Sequence, residues 1–108
     1  MLGGMSSPLP RISRAELTDL LQQEIAKLGD SELAWWRQHS VSPFIARYHD
    51  SVYGDLFCFI VAVWGSDVLF FEDTYCNFAY AKLEAGSETM SVCAVVGTLQ
   101  DTITYVTH

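Results

Sequence analysis

The sequence predicts an α+β fold in which N-terminal helices pack on a four- to five-stranded antiparallel meander sheet, followed by a short C-terminal helix. Apolar residues recur at helical spacing near the N-terminus, whereas later stretches are rich in β-branched and aromatic residues and are separated by turn residues. Strands that follow one another in sequence most often pair as antiparallel neighbours. At 108 residues the chain has room for one hydrophobic core. We therefore expect a single domain over residues 13–108.

The first twelve residues do not have the pattern of a helix or strand. They are rich in glycine, serine and proline, a composition that favours a flexible segment. They also lack the positively charged start and apolar stretch of a secretory signal. We expect residues 1–12 to be a flexible leader.

A first helix is predicted to begin at Arg14. Ser13 and Glu16 have the spacing of a capping box, and Gly29 supplies a stop after Leu28. The apolar residues between them recur at helical spacing: Leu17, Leu20, Leu21, Ile25 and Leu28. This amphipathic pattern predicts a helix that packs one side on the core.

A second, shorter helix is predicted over residues 32–39, with Asp30 or Ser31 as its cap and Pro43 beyond its end. Trp35 and Trp36 are about 100° apart on this helix, so both cannot face the core. Either indole is a candidate for a partner interface, although partial burial of a tryptophan is the commoner arrangement.

Residues 56–72 predict a β-hairpin with two apolar faces. The uncharged run over residues 57–64 is too short to span a membrane and is rich in β-branched and aromatic residues. Gly65 and Ser66 predict a two-residue type II′ turn. The predicted pairs are Trp64 with Asp67, Ala62 with Leu69, and Ile60 with Phe71.

Neither face of this hairpin is polar enough to be left in water. The face opposite Ile60 and Ala62 is predicted to carry Phe57, Phe59, Val61, Val63, Val68, Phe70 and Glu72. The helices can cover one face. The other requires the C-terminal segment or a partner molecule, because monomers seldom expose an apolar patch of that size.

Three further strands and a terminal helix complete the prediction. The strands cover residues 44–49, 77–83 and 89–96, and the first has Phe44, Ala46 and Tyr48 on one face. In the last segment, residues 98–101 resemble a helix cap, whereas residues 102–105 alternate like a strand. We predict a helix there, with a strand as the alternative.

Charge and cysteine content limit the classes of partner. Six basic against thirteen acidic residues give a net charge of −7, which argues against binding to nucleic acid or to anionic membrane surfaces. No segment is predicted to span a membrane. Three cysteines without CxxC spacing are expected to be reduced and structural, as in a cytoplasmic protein. We expect no cofactor.

One polar group of residues is a candidate ligand-binding site. Tyr48 and His49 end one predicted strand, and Glu72 and Asp73 end another at the same end of the sheet. An imidazole with carboxylates could bind a ligand or transfer protons. The alternative is that charged residues collect at strand ends because the chain meets water there.

Three stretches of the chain resemble small bacterial proteins of a family of unknown function. They are GDLFCFIVAVWGSDVLFFED, the later NFAYAKLEAG and the terminal TLQDTI. The resemblance covers residues 44–104 and contains no catalytic motif. It implies a layout of hairpin and helices, and it implies no functional residues. The segment over residues 74–76 is less acidic than the family pattern.

Two functions are compatible with these patterns. The first is a non-catalytic interaction protein that self-associates, or binds a protein partner, through an apolar sheet face. The second is a small-molecule-binding protein or enzyme with a polar site near His49 and Glu72.

Overall fold

The computed structural model describes residues 10–108 and confirms the α+β fold, the antiparallel meander and the short C-terminal helix. Five strands form one sheet whose order is that of the chain. The elements are α1 (Arg14–Ile25), α2 (Asp30–His39), β1 (Ser40–Asp50), β2 (Gly54–Trp64), β3 (Asp67–Glu72), β4 (Asn77–Leu83), β5 (Met90–Gly97) and α3 (Leu99–Thr107).

Most of the predicted leader, residues 1–9, lies outside the described residues. The part that follows is attached to the sheet, since the Asp73 carboxylate accepts the backbone N–H groups of Arg11 and Ile12 at 2.7 and 3.1 Å. The Ile12 side chain also packs against the core.

Hydrogen bonds between neighbouring residues fix where the two N-terminal helices begin. Ser13 and Glu16 form the predicted capping box. The first helix ends three residues before the predicted Leu28, because the chain tightens into i→i−3 hydrogen bonds there. Gly29, not the predicted Asp30 or Ser31, caps α2, and its N–H donates to the Glu32 carboxylate at 2.7 Å.

The first strand starts four residues earlier than predicted and includes Pro43. A proline lacks the N–H that a sheet ladder uses, so it is tolerated on an edge strand. The register between β1 and β2 is irregular between Ser40 and Phe44, around this proline. From Phe44 onward the strand alternates as predicted, with Ala46 and Tyr48 buried on one face.

The central hairpin has the predicted turn but only part of the predicted register. Trp64 pairs with Asp67 and Ala62 with Leu69, and of the two turn residues only Gly65 has a positive φ, 62°. The predicted pair of Ile60 with Phe71 is wrong. An irregularity between Ile60 and Ala62 inserts one residue, so the observed pairs beyond it are Ile60 with Phe70 and Phe59 with Phe71.

This bulge redistributes the apolar residues between the faces. A single inserted residue reverses the side-chain alternation beyond it. Val61 and Phe59 therefore lie on the outer face with Leu69, not beside Phe70 as predicted. We call outer the face that packs on the helices; its cluster includes Phe59, Val61, Leu69, Phe71, Phe78, Leu17, Leu21, Trp36, Leu99 and Ile103.

The other face, which we call inner, is covered by the sheet itself. The sheet curls until β1 meets the start of β5, where Arg47 and Thr89 form a parallel bridge and the Arg47 N–H donates to the Glu88 carbonyl at 2.8 Å. The inner residues are buried inside this curve: Ala46, Tyr48, Cys58, Ile60, Val68, Phe70, Ala79, Ala81 and Met90. Neither the C-terminal helix nor a partner is needed to bury them.

Candidate functional site

The curled sheet is closed at one end and open at the other. Within residues 10–108 the pairing between β1 and β5 is limited to the bridge at Arg47 and Thr89. Beyond it, the inward-facing residues of β5 become progressively exposed: Met90 is 3% exposed, Val92 38% and Val95 53%. The two strands therefore part, and the inner face meets solvent between them.

A cavity of about 580 Å³ occupies this opening. Its walls come from β1, β2, β3, β5 and the two turns at this end of the sheet. The lining residues are Tyr48, His49, Asp50, Ser51, Tyr53, Leu56, Glu72, Thr74, Tyr75, Val92 and Val95. Three of the four residues predicted for a ligand site, Tyr48, His49 and Glu72, line it. The antiparallel meander brings them together because β1 and β3 run in the same direction and end at the same edge of the sheet.

The fourth predicted residue, Asp73, is directed elsewhere. Its carboxylate holds the backbone of Arg11 and Ile12, and Asp73 is not among the residues that line the cavity. Strand alternation ends at Glu72, so the side chain of the next residue is set by the turn.

The Glu72 carboxylate is buried but already bonded. It accepts the N–H of Thr74 at 2.6 Å and that of Tyr75 at 3.2 Å, and so supports the turn in which Cys76 has a φ of 58°. Its oxygens thus stabilise the backbone of this turn.

The Tyr48 hydroxyl and the Cys58 thiol are kept in their neutral forms. Burial raises the pKa of Tyr48 well above its usual range, and nearby groups, Cys58 and Glu72 among them, raise it further. Burial likewise raises the pKa of the Cys58 thiol to about 12. A thiol in this state is a poor nucleophile, so it acts as a packing residue.

The rim of the cavity is built by two exposed tyrosines. Tyr53 on one turn and Tyr75 on the other bring their hydroxyl oxygens to 3.1 Å, and this hydrogen bond raises the pKa of Tyr75. The Tyr53 turn is fixed by Asp50, whose carboxylate accepts the N–H groups of Val52 and Tyr53 and has its pKa lowered by them. His49 lies at the edge and contacts Asp55 at 3.3 Å.

The free edge of β5 runs alongside this cavity. The strand Met90–Gly97 contains no charged residue and no proline, although edge strands normally carry such residues to prevent pairing with other chains. The sequence predicts this strand, but its free edge follows from its position at the end of the sheet. The signal that could have found it is an eight-residue strand, last in a meander and without any charge.

The two candidate interface tryptophans differ in exposure. Trp36 is 7% exposed and belongs to the outer core. Trp35 is half-buried, and its ring centre lies 5.0 Å from that of Trp64 and 4.8 Å from that of His39. Of the pair, only Trp35 has surface to offer a partner.

Within residues 10–108, no group of three or more His, Cys, Asp or Glu side chains is placed to hold a metal ion. No helix there is long and apolar enough to cross a membrane. Comparisons with family models, curated proteins and solved structures found no match to this chain.

Proposed function

We propose that this protein is a non-catalytic interaction protein that self-associates by pairing the free edge of β5 with β5 of a second copy. The observation that carries this proposal is the uncharged, exposed edge of β5, with Val92 and Val95 beside an open cavity. An unpaired edge presents a row of backbone N–H and C=O groups, and a strand of a second copy satisfies them without any side-chain specificity.

Antiparallel pairing of two identical strands is compatible with two-fold symmetry. Each copy then offers the same patch, and side chains on one face meet their symmetry mates. Because the chain carries a net charge of −7, two copies repel one another in general. The absence of charge along β5 favours close approach at this edge.

The substitution Val95→Lys tests this pairing. It places a positive charge on β5 of both copies, and a lysine on an edge strand opposes pairing. Val95 is already 53% exposed, so the fold should tolerate the change. We expect sedimentation equilibrium to give a mass near twice 12.1 kDa for the unchanged protein at about 100 μM, and a monomer for Val95→Lys.

Val52→Lys is the matched control. Val52 is 78% exposed on the turn between β1 and β2, so the substitution changes charge equally without touching β5. It should leave the dimer intact. A protein that is monomeric over the whole concentration range, or a Val52→Lys variant that dissociates as fully as Val95→Lys, would contradict the proposal.

A second candidate function, binding of a small apolar molecule in the cavity, is favoured by the cavity itself. Its volume lies in the range of ligand pockets, and its lining includes three apolar side chains, Leu56, Val92 and Val95, and three tyrosines. Indole, a small aromatic probe, should raise the melting temperature by about 5 °C at ten times its dissociation constant.

Val92→Phe, which fills the cavity from β5, should abolish that shift, whereas Val52→Phe should preserve it. An equal shift in both variants would place the probe elsewhere and exclude this cavity as its site.

A further inference from the structure

A second cavity, of about 550 Å³, lies beside the seam where β1 meets the start of β5. Two arginines, Arg14 and Arg47, line it together with the apolar side chains of Phe44, Ile45 and Phe57. It shares no lining residue with the cavity at the open end of the sheet.

Both guanidinium groups are held in place by neutral partners. Arg14 donates to the Pro43 carbonyl and lies over the Phe59 ring, with its central carbon 5.1 Å from the ring centre. Arg47 donates to the Thr89 hydroxyl at 3.1 Å. An arginine has five N–H donors, so each side chain retains several for another group.

Neither arginine is neutralised by a carboxylate in the part of the chain that the structure describes. The ion pairs found there join Lys27 to Glu24, His49 to Asp55 and Lys82 to Asp67. Both lysines of this acidic chain thus have a carboxylate partner, while two of its arginines face one cavity without one. In a protein of net charge −7, that distribution points to an anion supplied from outside.

We propose that this cavity binds a small amphipathic monocarboxylate. Its carboxylate would accept hydrogen bonds from Arg47 and Arg14, because the planar guanidinium fork matches a carboxylate in shape and charge. Its hydrocarbon body would pack on Ile45 and Phe57, which lie on the same face of the sheet as Arg47. An inorganic anion such as sulfate offers no apolar body, so it should bind far more weakly.

One negative group in the cavity opposes this ligand. Glu88 lines the same cavity and is exposed, so its negative charge would repel a carboxylate bound there. The backbone carbonyl of Glu88, not its side chain, accepts the Arg47 N–H. The substitution Glu88→Gln therefore removes the repulsion and keeps this hydrogen bond between β1 and the start of β5. Glu88→Gln should therefore tighten binding, an effect that structural damage would not produce.

Calorimetric titration with octanoate tests the proposal, with 1-octanol as the uncharged probe of equal length. Octanoate should bind the unchanged protein, and Arg47→Gln should weaken that binding about tenfold, the loss expected for one charge-assisted hydrogen bond. Arg37→Gln on α2 is the matched control, because it removes the same charge from an exposed site outside the cavity. It should leave the affinity unchanged.

Arg14→Gln provides a second variant, and the melting temperature of each variant shows that it is folded. The proposal would be overturned if octanoate did not bind at millimolar concentration, or if octanol bound equally well. Equal weakening of binding by Arg37→Gln and Arg47→Gln would also overturn it, as would unchanged affinity in Glu88→Gln.

Discussion

Truncation of Phe70 to alanine is expected to lower the free energy of unfolding by about 3–5 kcal/mol, the range for loss of a buried aromatic ring. Phe70 is 0% exposed on the inner face, and its ring centre lies 5.4 Å from that of Tyr48. It pairs with Ile60 on one side and Ala79 on the other, so the vacated space is enclosed by strands that cannot readily collapse. Urea denaturation measures this loss.

Phe71→Ala is the matched comparison, because Phe71 is the neighbouring ring on the outer face. It is 2% exposed, and its ring lies 5.1 Å from that of Phe78 under the helices. The two substitutions should cost similar free energies, since both faces are buried within one chain.

The comparison is most informative in the Val95→Lys background, where the protein is expected to be monomeric. If the inner face depended on a partner for its burial, Phe70→Ala in the monomer would cost less than about 1 kcal/mol while Phe71→Ala kept its full effect. That result would contradict the closure of the sheet at Arg47 and Thr89.

The second large effect is expected at Glu24, which joins α1 to α3. Its buried carboxylate accepts the N–H of Leu99 at 3.1 Å, at the start of α3, and contacts the Lys27 ammonium at 3.2 Å. A negative charge at this position is favoured by the helix dipole. Glu24→Ala leaves the Leu99 N–H buried without its acceptor, and should lower the free energy of unfolding by about 2–3 kcal/mol.

Glu24→Gln separates the hydrogen bond from the charge. The amide keeps an oxygen that can accept from Leu99 but loses the charge, so we expect a cost of about 1 kcal/mol. Amide hydrogen exchange should show α3 less protected in Glu24→Ala than in Glu24→Gln, because the contact acts on that helix. Equal unfolding free energies for Glu24→Ala and the unchanged protein would show that Glu24 does not anchor α3.

Features governed by neighbouring residues could be predicted from the sequence. The capping box at Ser13, the turn at Gly65 and the full extent of β4 were obtained in this way. The helix after Thr98 was also predicted, although its β-branched residues favour a strand. There the Thr98 side chain accepts the Asp101 N–H at 3.1 Å, and packing of Leu99 and Ile103 outweighs propensity.

The candidate site was predictable in part. Tyr48, His49 and Glu72 line one cavity because the ends of antiparallel neighbours lie together, a consequence of topology. The sequence did not predict that four other residues line this cavity: Tyr53, Tyr75, Val92 and Val95. The tyrosines belong to turns whose geometry depends on carboxylates accepting backbone N–H groups, and the valines lie opposite them only because the sheet curls.

The sequence by itself determined the elements of this protein, their order and the two apolar faces of its central hairpin, because capping, turns and alternation depend on residues a few positions apart. The tertiary structure decided which residue lies on which face and what covers the second face. A bulge after Ile60 and a bridge between Arg47 and Thr89 settle these points. Both result from the twist and packing of five strands together, which no single stretch of the chain encodes.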